Sequence, residues 1–293
     1  MENRNEEIVK QVKRLLEERG SRALEMARDA ILNEKIECKE VKEALKYFMT
    51  EYWHDLARPT LLSVACEAVG GNPDATTRIA VPMILISGAT DIHDDIVDQS
   101  RRKHGKPTVY GKYGRDLALL VGDALLFKGL TLLGEEAIQA EKAKIVVNIV
   151  KNMFFELGDA EALELEFRGR LDVTPEECLH LIEKKAADVE AHTRIGAILG
   201  KGTEEEIEAL GGYGRLLGIV LILADDIEDL LDVDELKHRI TNEHLPLPLL
   251  HALQSSKIKS QMLPVLSKKT LTRKDARKIS EMVYEEEETY LSR

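Results

Sequence analysis

Aromatic residues are scarce, at 4% of 293 positions with a single tryptophan, so few ring faces are available to hold a cation in a cavity. Cysteine is nearly absent. Cys38, Cys66 and Cys178 lie far apart and fit neither a disulfide framework nor a metal-ligand spacing, which reads as buried thiols in a reducing compartment. Positive charge is in deficit, with a net charge of -12 and a pI near 5.3, which excludes nucleic acid as the main partner. An anionic ligand then needs metal ions or a few clustered basic residues. The leading segment MENRNEEIVKQVKRLLEERG lacks an apolar stretch, and no uninterrupted apolar run reaches bilayer length, so a soluble, cytoplasmic chain without a transmembrane segment is expected.

Strand-like alternation, short repeats and Pro/Gly/Ser-rich linkers are missing as well. Apolar residues instead recur at helical spacing, as in Ile8, Val12, Leu15 and Leu16, then Val41, Ala44, Leu45 and Phe48. Breaks fall at Gly70 to Pro73, Gly105 to Pro107, Gly111 to Gly114, Asp172 to Pro175 and Gly200 to Gly202. With 44% hydrophobic residues the chain can fill a large core. The expected fold is all-α, a helical bundle of ten or more helices forming a single domain over residues 1–293. IAVPMILISGA and LLGIVLILA are apolar on nearly every face and read as central helices buried on all sides. The C-terminal run KKTLTRKDARKISEMVYEEEETYLSR reads as a solvated amphipathic helix.

Both apolar segments run directly into carboxylates, ATDIHDDIVDQS and ADDIEDLLD. Residues four apart share a helix face, so Asp94 pairs with Asp98 and Asp225 with Asp229. Like charges in that position require a compensating cation. Oxygen-only ligands suit magnesium, which keeps water and phosphate oxygens in its remaining positions.

HDDIVD, GKPTVYGKYG, LLVGDALL, EKKAADVEAHTRIGAILG and GIVLILADDIEDLLD, in this order, resemble the trans-isoprenyl diphosphate synthase (polyprenyl synthetase) family over roughly residues 40 to 255. The resemblance implies an isoprenoid-synthase-type helical bundle with a central cavity, the two aspartate clusters near its mouth, and an allylic prenyl diphosphate as substrate. It implies three Mg2+ ions with bound diphosphate, Asp94, Asp98 and Asp225 as direct ligands, and Asp95, Asp226 and Asp229 in support. Lys184 and Lys185 fall at the segment that contacts the allylic diphosphate. A homodimer is implied too.

The segments assigned to the second substrate, isopentenyl diphosphate, depart from the family pattern. WHDLARP retains Arg58 but carries Asp55 at a lysine position, and Ser87 replaces a histidine; Asp91, an acid at an apolar position, bears instead on the product-length region beside Ala89 and Thr90. Of an arginine pair, the member assigned to the allylic diphosphate becomes Lys103 and the one assigned to isopentenyl diphosphate becomes His104, with Arg101 and Arg102 displaced upstream. Glu161 and Glu164 fall in a segment where the family has GQxxD, and the loop after the second cluster is shortened, leaving Lys237 and Arg239 as its permanent cations. These departures point to an enzyme that ionises an allylic diphosphate without isopentenyl diphosphate, in the manner of synthase-like terpene synthases, with Phe127, Phe154, Phe155 and Phe167 as candidate cavity residues. A chain-elongating prenyltransferase is the alternative, with Arg58, Arg101, Arg102 and Lys237 rearranged; small Ala89 and Thr90 then leave room for a product longer than farnesyl. A non-catalytic partner of an active synthase in a heteromer is the third reading.

Overall fold

The computed structural model describes residues 2–103, 105–135 and 140–291. Among them fourteen α-helices follow one another: α1 Glu2–Leu32, α2 Lys39–Tyr47, α3 Ala57–Ala68, α4 Thr77–Val97, α5 Val109–Tyr113, α6 Arg115–Glu135, α7 Ala140–Phe167, α8 Pro175–Lys185, α9 Ala187–Leu199, α10 Glu204–Leu231, α11 Val233–Asn242, α12 Leu247–Ala252, α13 Ser256–Leu266 and α14 Arg273–Leu291. The fold is all-α. The one ladder among the described residues is a two-residue hairpin that pairs Arg102 with Pro107 and Lys103 with Lys106. The expected breaks at Gly70 to Pro73, Asp172 to Pro175 and Gly200 to Gly202 fall between helices, Gly105 to Pro107 falls at the hairpin, and Gly111 to Gly114 instead overlaps the short helix α5. Thr174 and Glu177 close a reciprocal capping box at the start of α8, with Pro175 at its first turn. Thr203 and Glu206 exchange the same pair of bonds at the start of α10.

The chain divides into two compact units, residues Met1–Met153 with Asp188–Gly214, and Phe154–Ala187 with Arg215–Arg293. In the first, α4 is apolar all round and is buried from Ile79 to Ala89 as expected. It packs closely on α6 because two glycines seven residues apart lie on one face of that helix. A Cβ on Gly122 would come 2.5 Å from His93 Nε2, and one on Gly129 would come 2.7 Å from Ile86 Cγ1 and 2.9 Å from the Pro82 carbonyl. Phe48 and Trp53 stack with ring centroids 5.3 Å apart in the same core.

The second unit has its own core, in which Leu181, Ile182, Leu236, Leu249, Met262, Ile279 and Val283 take part. Here α14 differs from expectation. Ala276, Ile279, Met282 and Val283 recur on one face and are buried, so the C-terminal helix is part of the core and only its other face is solvated.

Two further expectations are corrected. The apolar run of α10 is not buried on all sides, since Leu216, Val220, Ile227 and Leu231 form an exposed stripe at helical spacing. Cys38 is exposed, and only Cys66 and Cys178 are buried thiols; burial pushes Cys178 up to about 12. The helices α6 and α10 are long and apolar enough by composition to cross a membrane, but Asp123 and Lys128, and Glu208 and Arg215, interrupt their apolar runs, in keeping with the expectation that no uninterrupted run reaches bilayer length.

Gly129→Ala is expected to cost about 1–3 kcal/mol, the usual penalty of overpacking, because the Pro82 carbonyl is backbone and has little room to yield. Urea denaturation of the two proteins measures the difference.

Candidate active site

The first aspartate cluster sits on the last turn of α4, which has no basic residue in that turn and faces the negative end of the helix dipole. Gln99, at φ 58, turns the chain out of the helix and into the hairpin. That hairpin returns a cation to the cluster. Lys103 Nζ lies 2.9 Å from Asp94 Oδ2 and 2.9 Å from Asp95 Oδ1. Burial disfavours the charge on Lys103, but Asp94 and Asp95 hold it well above the ordinary lysine value. Burial pushes Asp95 up to about 7 against the pull of Lys103. Asp95 and Asp98 are buried, whereas Asp94 is half-buried. His93, one residue before the cluster, lies 3.4 Å from Asp123 of α6, against the space that Gly122 leaves open. Arg101 stacks on the Tyr110 ring at 4.9 Å, and Arg102 donates to the Gly105 carbonyl; both are exposed. His104 lies outside the described residues.

One turn earlier on α4, the separate departures read from the sequence meet around one side chain. Arg58 donates from Nε to Asp188 Oδ2, from Nη1 to Asp55 Oδ2 at 2.6 Å, and from Nη2 to Asp91 Oδ1 at 3.5 Å. Asp91 also accepts from Trp53 Nε1 at 2.6 Å, and Asp188 from the buried Ser87 hydroxyl at 3.4 Å. Asp55 in addition accepts from the backbone N–H groups of Ala57 and Arg58, which start α3. His192 Nδ1 lies 2.8 Å from the Asp188 carbonyl and 3.3 Å from its carboxylate. Burial raises Asp91 above the usual carboxylate range, whereas Arg58 and His192 outweigh burial and hold Asp188 well below it. Every nitrogen position of the Arg58 guanidinium thus faces an internal carboxylate. Asp188 and His192 were not singled out by the sequence; their i, i+4 spacing in KKAADVEAH was the available signal.

In the second unit the aspartate cluster ends α10. Asp225 is exposed, Asp229 is half-buried and Asp226 is buried. Of the two cations in the shortened segment, Arg239 is the one that reaches the cluster, at 2.8 Å from Asp226 Oδ1, 2.8 Å from Asp229 Oδ2 and 2.8 Å from Glu243 Oε2. Lys237 is half-buried on α11. The second oxygen of Asp226 accepts from the Leu247 N–H at the start of α12. The two lysines that end α8 separate in role. Lys184 lies 3.5 Å from the exposed Asp159, whereas Lys185 is bonded to buried Glu164 and lies 3.2 Å from Glu161. Glu164 also pairs with His244 at 2.5 Å, and Lys185 and His244 together hold it well below the usual range in spite of burial. The candidate cavity aromatics do not behave as a set. Phe127 and Phe155 are each 70% exposed, Phe154 is exposed as well, and Phe167 belongs to the second unit's core.

The donors on both helix ends are carboxylate oxygens alone, which fits a hard divalent cation such as Mg2+ and not a soft metal. The sequence profile described as polyprenyl synthetase matches residues 39–283, a span that contains both clusters. The chain belongs to the polyprenyl synthetase family. It is 36% identical over 179 residues to a short chain isoprenyl diphosphate synthase of Methanothermobacter thermautotrophicus, a match covering 61% of this chain and 55% of that one. It is 31% identical over 220 residues to a geranylgeranyl diphosphate synthase of Methanosarcina mazei, covering 74% and 68%. The match thus spans little more than half to about two thirds of those relatives' length. The crystal structure of a geranylgeranyl pyrophosphate synthetase from Pyrococcus horikoshii superposes with a TM-score of 0.82 at 26% identity, over 94% of this chain and 86% of that one.

Asp188→Asn is expected to destabilise the protein by less than the roughly 3–5 kcal/mol typical of a broken buried pair, since Asp55 and Asp91 remain on Arg58. A lowered carboxylate pKa stabilises above the unfolded value, about 4 for aspartate, and that contribution is lost as pH falls through the folded value. Urea melts between about pH 3 and about pH 7 should therefore show the gap between wild type and variant narrowing on acidification.

Proposed function

We propose that the chain is a magnesium-dependent trans-prenyltransferase that ionises an allylic prenyl diphosphate and joins it to isopentenyl diphosphate. The family match across residues 39–283, with a whole DDxxD cluster at the end of α4 and another at the end of α10, carries this reading. The relatives named as short chain isoprenyl and geranylgeranyl diphosphate synthases support elongation over the reading drawn from the sequence departures. Asp94, Asp98 and Asp225 are the carboxylates for the metal. When bound, magnesium neutralises the charge that builds on the departing diphosphate. Lys103, held by Asp94 and Asp95, would contact the diphosphate from the loop that follows the first cluster, and Arg101 and Arg102 add positive charge on the same loop. Lys184 and Lys185 are the further cations of this reading.

Ionisation without isopentenyl diphosphate is the second reading, and one observation favours it: Arg58, the cation retained from the family's second-substrate segment, is already bonded to three carboxylates. A diphosphate there would have to displace them. Exposed Leu119, Leu120, Phe127 and Leu130 on α6 support a homodimer.

Incubation of the purified protein and Mg2+ with geranyl, farnesyl or geranylgeranyl diphosphate, with and without isopentenyl diphosphate, separates the two readings. A longer prenyl diphosphate is the expected product. Diphosphate release that is indifferent to isopentenyl diphosphate would replace elongation with the second reading, and an absence of turnover until an active synthase is added would point to a subunit role. Asp94→Ala and Asp225→Ala are each expected to lower turnover at least about 1,000-fold, a loss of roughly 4 kcal/mol of transition-state stabilisation.

A further inference from the structure

We propose that Asp55 and Asp91 are specificity-determining residues that keep the terminal edge of the Arg58 guanidinium closed to a diphosphate. The inference deepens the function proposed above and rests on its placing of Arg58 in the second-substrate segment. Arginine grips phosphate oxygens through two parallel N–H bonds, and Nη1 with Nη2 forms one such pair. Here Asp55 Oδ2 accepts from Nη1 at 2.6 Å and Asp91 Oδ1 from Nη2 at 3.5 Å, so each terminal nitrogen faces a carboxylate of the chain itself. Three carboxylates around one guanidinium, Asp188 being the third, also leave the surroundings acidic, which repels a ligand of the same sign.

Both acids are fixed by bonds that do not involve the guanidinium. Asp55 Oδ1 accepts from the N–H groups of Ala57 at 2.8 Å and Arg58 at 3.2 Å. Asp91 Oδ2 accepts from Trp53 Nε1 at 2.6 Å, and that indole stacks on the buried ring of Phe48. Neither carboxylate can therefore swing aside for a ligand without breaking a second contact. Asp188 acts differently, since it takes Nε while the Ser87 hydroxyl and His192 lie against its own carboxylate. It anchors the arginine. Neutralising Asp55 or Asp91 then leaves Arg58 in place and opens one terminal nitrogen, because an asparagine oxygen can keep the backbone or indole bond while its NH2 group, a donor, no longer accepts from Arg58.

Direct binding tests this independently of turnover. The full chain is titrated calorimetrically with isopentenyl diphosphate in EDTA, so that no metal ion contributes to the affinity. Asp55→Asn and Asp91→Asn are each expected to bind about 10-fold tighter than wild type, the order of a hydrogen bond to a charged group. In turnover with Mg2+ and an allylic diphosphate, the KM for isopentenyl diphosphate should fall in step. Asp29→Asn, on the exposed face of α1, removes the same unit of charge and is expected to leave the affinity unchanged. A folded Asp55→Asn with wild-type or weaker affinity, or an equal gain in Asp29→Asn, would overturn the proposal; Asp55→Asn decides the question if Asp91→Asn does not fold. Tighter binding without a longer prenyl diphosphate from wild type or variant would overturn elongation and leave this proposal standing.

Discussion

Carboxylates gathered at the C-terminal end of an apolar helix face the negative pole of the helix and a core that cannot solvate them. Their charge must be met by a cation, and in this protein three groups of acids have each acquired one from within the chain. Lys103 returns on a hairpin to Asp94 and Asp95, Arg58 reaches Asp55, Asp91 and Asp188, and Arg239 holds Asp226, Asp229 and Glu243. Because burial penalises each partner alone, removing the cation of a group strands its carboxylates.

These internal cations differ in how readily they can be given up. Lys103 is partly exposed on a flexible stem, so its carboxylates can release it more readily than a buried arginine fork. Arg58 is bonded through all three nitrogen positions and spans three segments of chain, so its release would disturb α3, α4 and α9 together. The relatives are named as diphosphate synthases, whereas in this chain the Arg58 guanidinium is taken up by its own acids.

Rigidity for the first cluster comes from packing. Gly122 and Gly129 let α6 lie against α4, and Gly122 also leaves the space in which His93 meets Asp123. The GD pair in LLVGDALL thus has two separate causes, one steric and one polar. Side chains in such a close-packed region sit in few rotamers, which keeps the carboxylates of α4 on the face where they are useful.

The sequence by itself determined the helical class, the two DDxxD clusters and the family, because helical periodicity and short motifs are local and survive without knowledge of neighbours. It also showed Asp55, Ser87 and Asp91 as separate oddities. Only the tertiary structure joined them, since Asp188 is 130 positions from Arg58 and no local pattern links the two. The same holds for Arg239, which was visible as a cation in a shortened loop but shown as the partner of Asp226 and Asp229 only by the fold. Apolar composition misjudged α10 and α14 in opposite directions, because burial is set by which neighbour a helix meets and hydropathy records only that it can be buried.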